Sequence, residues 1–151
     1  MILHGFLFVE LPFFIFMDKV SPEIRSHTMA AVKSYNTKPE VAVRKLLHSL
    51  GYRFRLQRKD LPGRPDIVLP KYKIAIFVNG CFWHRHEGCK RATMPTSHLE
   101  YWEPKFARNI MRDKENYRKL EALGWSVRII WECEINSILK NRLVPGLPQL
   151  K

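Results

Sequence analysis

Acidic residues and cysteines are scarce in this chain. Only 14 Asp and Glu stand against 26 Lys and Arg in 151 residues, giving a formal charge of +12 and an isoelectric point near 9.9. The excess is spread through the sequence and not gathered in a tail, so the basic surface belongs to the fold itself. Its natural partner is an acidic polymer, nucleic acid before an anionic membrane. Cysteine is limited to Cys81, Cys89 and Cys133, an odd number that excludes a simple disulfide framework. No internal repeat is present, and no apolar run reaches the ~20 residues of a membrane span. The nearest, residues 1–16 (MILHGFLFVELPFFIF), is broken by Glu10 and Pro12 and lacks the basic start and small-residue cleavage site of a signal peptide. Met17-Asp18-Lys19 reads as the ordinary beginning, with residues 1–16 as an apolar extension, 17–140 as one domain and 141–151 as a loose, proline-rich tail. A 46% hydrophobic content is enough for a single core.

Helix and strand signals alternate along the domain. Ser21-Pro22-Glu23 opens a short helix to about Val32. Thr37-x-x-Glu40 forms a capping box with Pro39 in the first turn, Val41, Leu46, Leu47 and Leu50 as the apolar face, and Gly51 as the stop. Tyr52–Leu56 alternates apolar and basic residues, as a half-buried strand does. Two apolar strands, IVL from Ile67 and IAIFV from Ile74, flank a Pro-Lys-Tyr turn. A helix from about Tyr101 to Leu123 carries Trp102, Phe106, Ile110, Tyr117, Leu120 and Leu123 inward. Ser126–Trp131 is apolar enough to predict a central strand, followed by a short helix near Ile135–Leu139. The order predicts an α/β domain with a mixed sheet.

Chemistry-bearing residues crowd Asp66–Cys89. Cys81, His86 and Cys89 share one loop, and Cys133 follows the last strand, a Cys3His set of the kind that holds structural zinc in a reducing compartment. Asp66 opens the first hairpin strand. It is either a solvated acid or a carboxylate ligand for Mg²⁺, with a main-chain oxygen such as that of Val78 as a second ligand. His84 is free of the zinc set and suits either an exposed role or that of general base. Glu40 is explained by its capping box. Phe82 and Trp83 are core or a stacking wedge against bases, and Trp102 on its helix face is core by default.

Pro65-Asp66 at the head of a hairpin strand resembles the first half of the site in nucleases of the restriction-endonuclease fold; Ile76-Phe77-Val78 stands where the second half, an acid and a lysine, would fall. PGRPDIVLP, IFVNGCFWHRHEGC, YW leading into a helix with RD, and GWSVRIIWECEI together resemble the very short patch repair DNA endonucleases, from about Val20 to Leu139. That resemblance implies a restriction-endonuclease-like α/β fold, a mixed sheet flanked by helices with a structural zinc site. It implies a Mg²⁺-dependent enzyme that nicks duplex DNA beside a T·G mismatch. Asp66 becomes the magnesium carboxylate, with the Val78 carbonyl beside it, His84 the general base and Glu40 an accessory residue. Cys81, His86, Cys89 and Cys133 become the zinc ligands, and Phe82, Trp83 and Trp102 the aromatics that push between base pairs. The expected setting is bacterial cytoplasm, with a monomer acting beside other mismatch-repair proteins and no membrane. The rivals are a restriction-associated or selfish-element nuclease of the same fold and a catalytically silent zinc-containing DNA-binding module. Two departures stand out: Val78-Asn79 where many members have Thr-His, and His86-Glu87-Gly88-Cys89, one residue longer than His-x-Cys.

Overall fold

The computed structural model describes residues 35–150; the helix expected over 21–32 and the apolar extension lie outside them. Helix α1 (Lys38–Ser49) starts as its sequence dictates. Thr37 accepts from the Glu40 N–H, and the Glu40 side chain takes the Thr37 N–H in return. Its inward face is Val43, Leu46 and Leu47. Gly51, at φ 85°, turns the chain out of the helix.

A four-stranded sheet follows, in the order β1 (Arg55–Leu56), β2 (Ile67–Leu69), β3 (Ile74–Asn79), β4 (Ser126–Trp131). β1 and β3 are antiparallel to β2, whereas β3 and β4 are parallel, from Ile74↔Ser126 to Asn79↔Trp131. Parallel neighbours need a long crossover, and here a loop and helix α2 (Leu99–Ala122) supply it. Alternation along β3 divides the core. Ile74, Ile76 and Val78 join Val43, Leu46 and Leu47 of α1 and Ile135 and Ile138 of α3 (Ile135–Asn141). Ala75 and Phe77 join Leu120, Tyr117 and Trp125 on the α2 side. The result is the expected mixed sheet flanked by helices.

Four expectations are corrected. The ladder of β1 is two residues long, not five, and Leu56 is exposed because only the three-residue β2 pairs with it. β4 lies at an edge of the sheet among the described residues, with Ile130 buried and Ile129 exposed. Its apolar run reflects Ile130 packing into the core beside α1 and α3 and Val127 partly covered on the α2 side, not two strand neighbours. Leu123 is 57% exposed because the helix closes before it: Trp125 N–H bonds the Leu120 carbonyl at 3.0 Å and Gly124 turns at φ 77°. The residues after α3 are packed, not loose. Val144 is buried against α1 and α3, Arg128 Nε donates to the Gly146 carbonyl at 3.2 Å, and the Tyr52 hydroxyl donates to the Pro148 carbonyl.

Candidate active site and metal centre

Everything with chemical potential gathers at the end of β3 and β4, where the two strands stop in register. Beyond β3 the chain makes two tight turns, His84 N–H to the Gly80 carbonyl at 3.1 Å and His86 N–H to the Cys81 carbonyl at 3.0 Å. These turns set Cys81 and His86 on one side of the loop. Beyond β4, a single turn of 3-10 helix carries Cys133. The ligand atoms of Cys81, His86, Cys89 and Cys133 lie within 4.8 Å of one another. His86 Nδ1 is 3.7 Å from the Cys81 sulfur and 3.3 Å from that of Cys133. A zinc tetrahedron with ordinary bond lengths has edges of about 3.6 Å, so the donor set and its spacing fit zinc. Desolvation, then the sulfurs of Cys81 and Cys89, push the Cys133 thiol up to about 12, and a bound cation is what lets such a cluster ionise. Trp131 lies flat on the His86 ring, centroids 4.1 Å apart and planes 4° from parallel, which fixes the ring's direction. The extra residue in the loop is absorbed by Gly88 at φ 69°, which lets Cys89 N–H reach the His86 carbonyl at 3.2 Å.

Asp66 owes its position to a break in the β2–β3 ladder. Extending the register from Ile67↔Ile76 sets Pro65 opposite Val78. Proline has no N–H to give, so the Val78 carbonyl is left without that ladder donor. The Val78 N–H goes instead to Asp66 Oδ2 at 2.8 Å. A strand residue's N–H and C=O face the same neighbour, which brings one carboxylate and one main-chain oxygen together. Two hard oxygens of this kind fit Mg²⁺, which completes its shell with water and substrate phosphate. Burial raises the Asp66 carboxyl to about 6; Val78 N–H, Arg44 and His84 oppose this and Glu40 adds to it. Glu40 is thus within electrostatic reach of Asp66, but its own oxygens are committed. Oε1 accepts from the Thr37 N–H and hydroxyl, and Oε2 from the Asn36 N–H at 3.0 Å and Arg44 at 2.6 Å.

His84 is held by a residue to which the sequence reading gave no role. Its Nδ1 lies 2.5 Å from Asp113 Oδ2. Asp113 sits on the inward stripe Phe106, Ile110, Asp113, Tyr117, Leu120 of α2; an acid at a core position of a helix is the signal that would have found it. Asn79, also inward and 4% exposed, donates to the Tyr117 hydroxyl at 3.0 Å. Burial, with the Asp113 and Asp66 carboxylates, pushes Tyr117 up to about 12. His84, Asp113, Asn79 and Tyr117 line one cleft of about 750 Å³, together with Arg85, Glu87 and Lys114.

The three aromatics form one cluster. Phe82 meets Trp83 edge-on at 5.0 Å and Trp102 at 5.6 Å, and Phe106 stacks behind Trp102 at 5.5 Å. Phe82 and Trp83 are half-buried, while Trp102 is 3% exposed and forms the wall behind them. Lys105 Nζ lies 5.5 Å from the Trp83 ring and 5.7 Å from that of Trp102.

Residues 17–91 match the family model described as DNA mismatch endonuclease Vsr. The Xanthomonas oryzae type II nicking enzyme V.XorIIP is 53% identical over 135 residues, covering 85% of this chain and 98% of that one. The Escherichia coli DNA mismatch endonuclease Vsr is 40% identical over 111 residues, 74% of this chain and 70% of its own. The Neisseria meningitidis type II nicking enzyme V.NmeAIP is 43% identical over 120 residues, 80% of this chain and 82% of its own. The catalytic domain of a homing endonuclease superposes with a TM-score of 0.45 at 22% identity, over 71% of this chain and 88% of that domain.

Proposed function

Because this chain belongs to the Vsr family of DNA mismatch endonucleases, we propose that it nicks one strand of duplex DNA beside a T·G mismatch by Mg²⁺-assisted phosphodiester hydrolysis. The observation that carries the reading is the His84–Asp113 pair at 2.5 Å, standing close enough to Asp66 for the two sites to feel each other's charge. With Nδ1 engaged by Asp113, His84 keeps Nε2 as the nitrogen that takes a proton from water. That water attacks phosphorus, and the bond to the leaving sugar oxygen breaks. Asp113 holds the imidazole's direction and favours the imidazolium that forms. Held by Asp66 and the Val78 carbonyl, Mg²⁺ would neutralise charge building on the phosphate. Glu40 keeps Arg44 and the start of α1 in place beside Asp66.

Base edges alone discriminate a T·G pair by about 1–3 kcal/mol per position. Phe82 and Trp83, backed by Trp102, add a mechanical test. Opening a base step costs a few kcal/mol, and a weakly stacked mismatch opens more cheaply than a matched pair. Insertion at the mismatch sets the neighbouring phosphate beside Asp66 and His84, since one short loop carries both the aromatics and the histidine. No described helix is long and apolar enough to cross a membrane. On this reading the protein is a monomer that meets its DNA in the bacterial cytoplasm, beside other mismatch-repair proteins. The test is incubation of end-labelled T·G and fully matched duplexes with protein, with and without Mg²⁺. A single mapped nick beside the mismatch is expected; equal cutting of both duplexes, or none, would overturn the reading.

A further inference from the structure

The Asn79–Tyr117 pair has no part in the chemistry just described. Asn79 ends the β3 stripe that faces α2, and Tyr117 follows Asp113 by one helical turn, an axial step of about 6 Å. Tyr117 therefore lies directly behind the residue that holds His84, on the wall of the same cleft. Its ring packs on Phe77 at 5.0 Å, a contact that phenylalanine would make equally well. The hydroxyl is the feature that packing leaves unexplained. It accepts from the Asn79 amide at 3.0 Å, and no described residue takes the proton it can donate in turn. The carboxylates of Asp66 and Asp113 are near enough to oppose its ionisation, so it remains a donor. Lys114 and Arg85 line the same cleft, alongside Glu87 and Asp113, and the Lys114 ammonium is a cation able to hold an anionic oxygen there as the acceptor.

We propose that Tyr117 donates a hydrogen bond to a nonbridging oxygen of the phosphate being cleaved, with Asn79 fixing the phenol's orientation. The proposal rests on the hydrolytic reading above and adds a substrate contact to it. Tyr117→Phe keeps the ring and its packing, so the variant folds. Single-turnover nicking is measured with Mg²⁺ on T·G duplexes carrying oxygen, or a single Rp or Sp phosphorothioate, at the cleaved phosphate. Tyr117→Phe should slow cleavage of the oxygen substrate roughly 10–100-fold, the worth of a hydrogen bond to a charged group, with little change in DNA affinity. The penalty for one phosphorothioate diastereomer should shrink in the variant, because the same bond cannot be lost twice. Asn79→Leu should slow the parent enzyme and add almost nothing to Tyr117→Phe. An undiminished rate in Tyr117→Phe, or phosphorothioate penalties that are fully additive for both diastereomers, would overturn the proposal alone. Absence of any nicking by the parent enzyme would overturn the hydrolytic reading and the proposal with it.

Discussion

Asp66 holds the N–H of Val78 at 2.8 Å at the point where strand pairing would have offered Pro65. The arrangement keeps a carboxyl buried, and its consequence is measurable. The folded-state value of about 6 lies above the ordinary 3.8. Between those values the folded chain holds a proton that the unfolded chain has released, so stability falls as pH rises through 6. The loss is about 3 kcal/mol. Asp66→Asn should therefore abolish Mg²⁺-dependent nicking and yet melt above the parent at pH 8 in Mg²⁺-free buffer. The gain should vanish at pH 4. Thermal melts at both pH values check this; a Tm difference independent of pH would remove burial as the cause.

The Cys3His cluster predicts one zinc per chain by elemental analysis. Closed sites of this type contribute on the order of 10–16 kcal/mol, comparable to the whole net stability of a domain. Cys133→Ser, or prolonged chelation, should abolish the cooperative thermal transition. A protein purified without zinc that unfolds with normal cooperativity would disprove the four-ligand site.

Local features were the readable ones. The Thr37–Glu40 capping box and the β2–β3 hairpin depend on neighbours a few residues apart, and both form as their sequence implies. The gathering of Cys133 with the distant Cys81 was legible because cysteine is so rare here. Asp113 entered the resemblance only as half of the Arg112-Asp113 pair, with no role of its own: in a helix full of charge, one more acid shows no task until the apolar stripe is traced through it. β4 was misplaced because apolar content is silent on whether a strand has one neighbour or two. Proline content after α3 suggested looseness, but Val144 and Leu147 are apolar residues whose burial depends on a surface built by α1 and α3, which the local sequence does not display.

If Asp113 acts by holding His84, Asp113→Asn should slow nicking about 100-fold or more, within the span of general acid–base contributions. His84→Ala should cost at least as much, and the double variant should be no slower than His84→Ala, because both remove one unit of function. Single-turnover rates on the T·G duplex test this. Multiplicative losses in the double variant would separate the two residues.

Trp83→Ala should retain zinc and fold but lose most of the preference for T·G over T·A, read as the ratio of nicking rates on paired duplexes. Its affinity for DNA should still fall steeply with salt, with a slope of about −0.9 per phosphate neutralised, since the basic surface is untouched. An unchanged rate ratio would make Trp83 ordinary core and move the wedge elsewhere.

The packed C-terminal segment gives a stability test far from the site. Truncation after Asn141 removes buried Val144 and partly buried Leu147 and should destabilise the domain by roughly 3 kcal/mol. Urea unfolding of the truncated chain measures it; a midpoint unchanged from the full chain would mean that the segment adds nothing.

The parallel pairing of β3 with β4 has a kinetic meaning. Cys81, His86 and Cys89 arrive together on one short loop, but Cys133 joins them only when two strands distant in sequence, paired from Ile74↔Ser126 to Asn79↔Trp131, have aligned. Long-range parallel pairing is slow because the chain between the strands must be closed before the contacts reward it, so Cys133 meets the other three side chains only once that alignment is made. An interaction made only after the folding barrier slows unfolding without hastening folding. A cation bound there would tie together the ends of two adjacent strands and act as a latch against their parting.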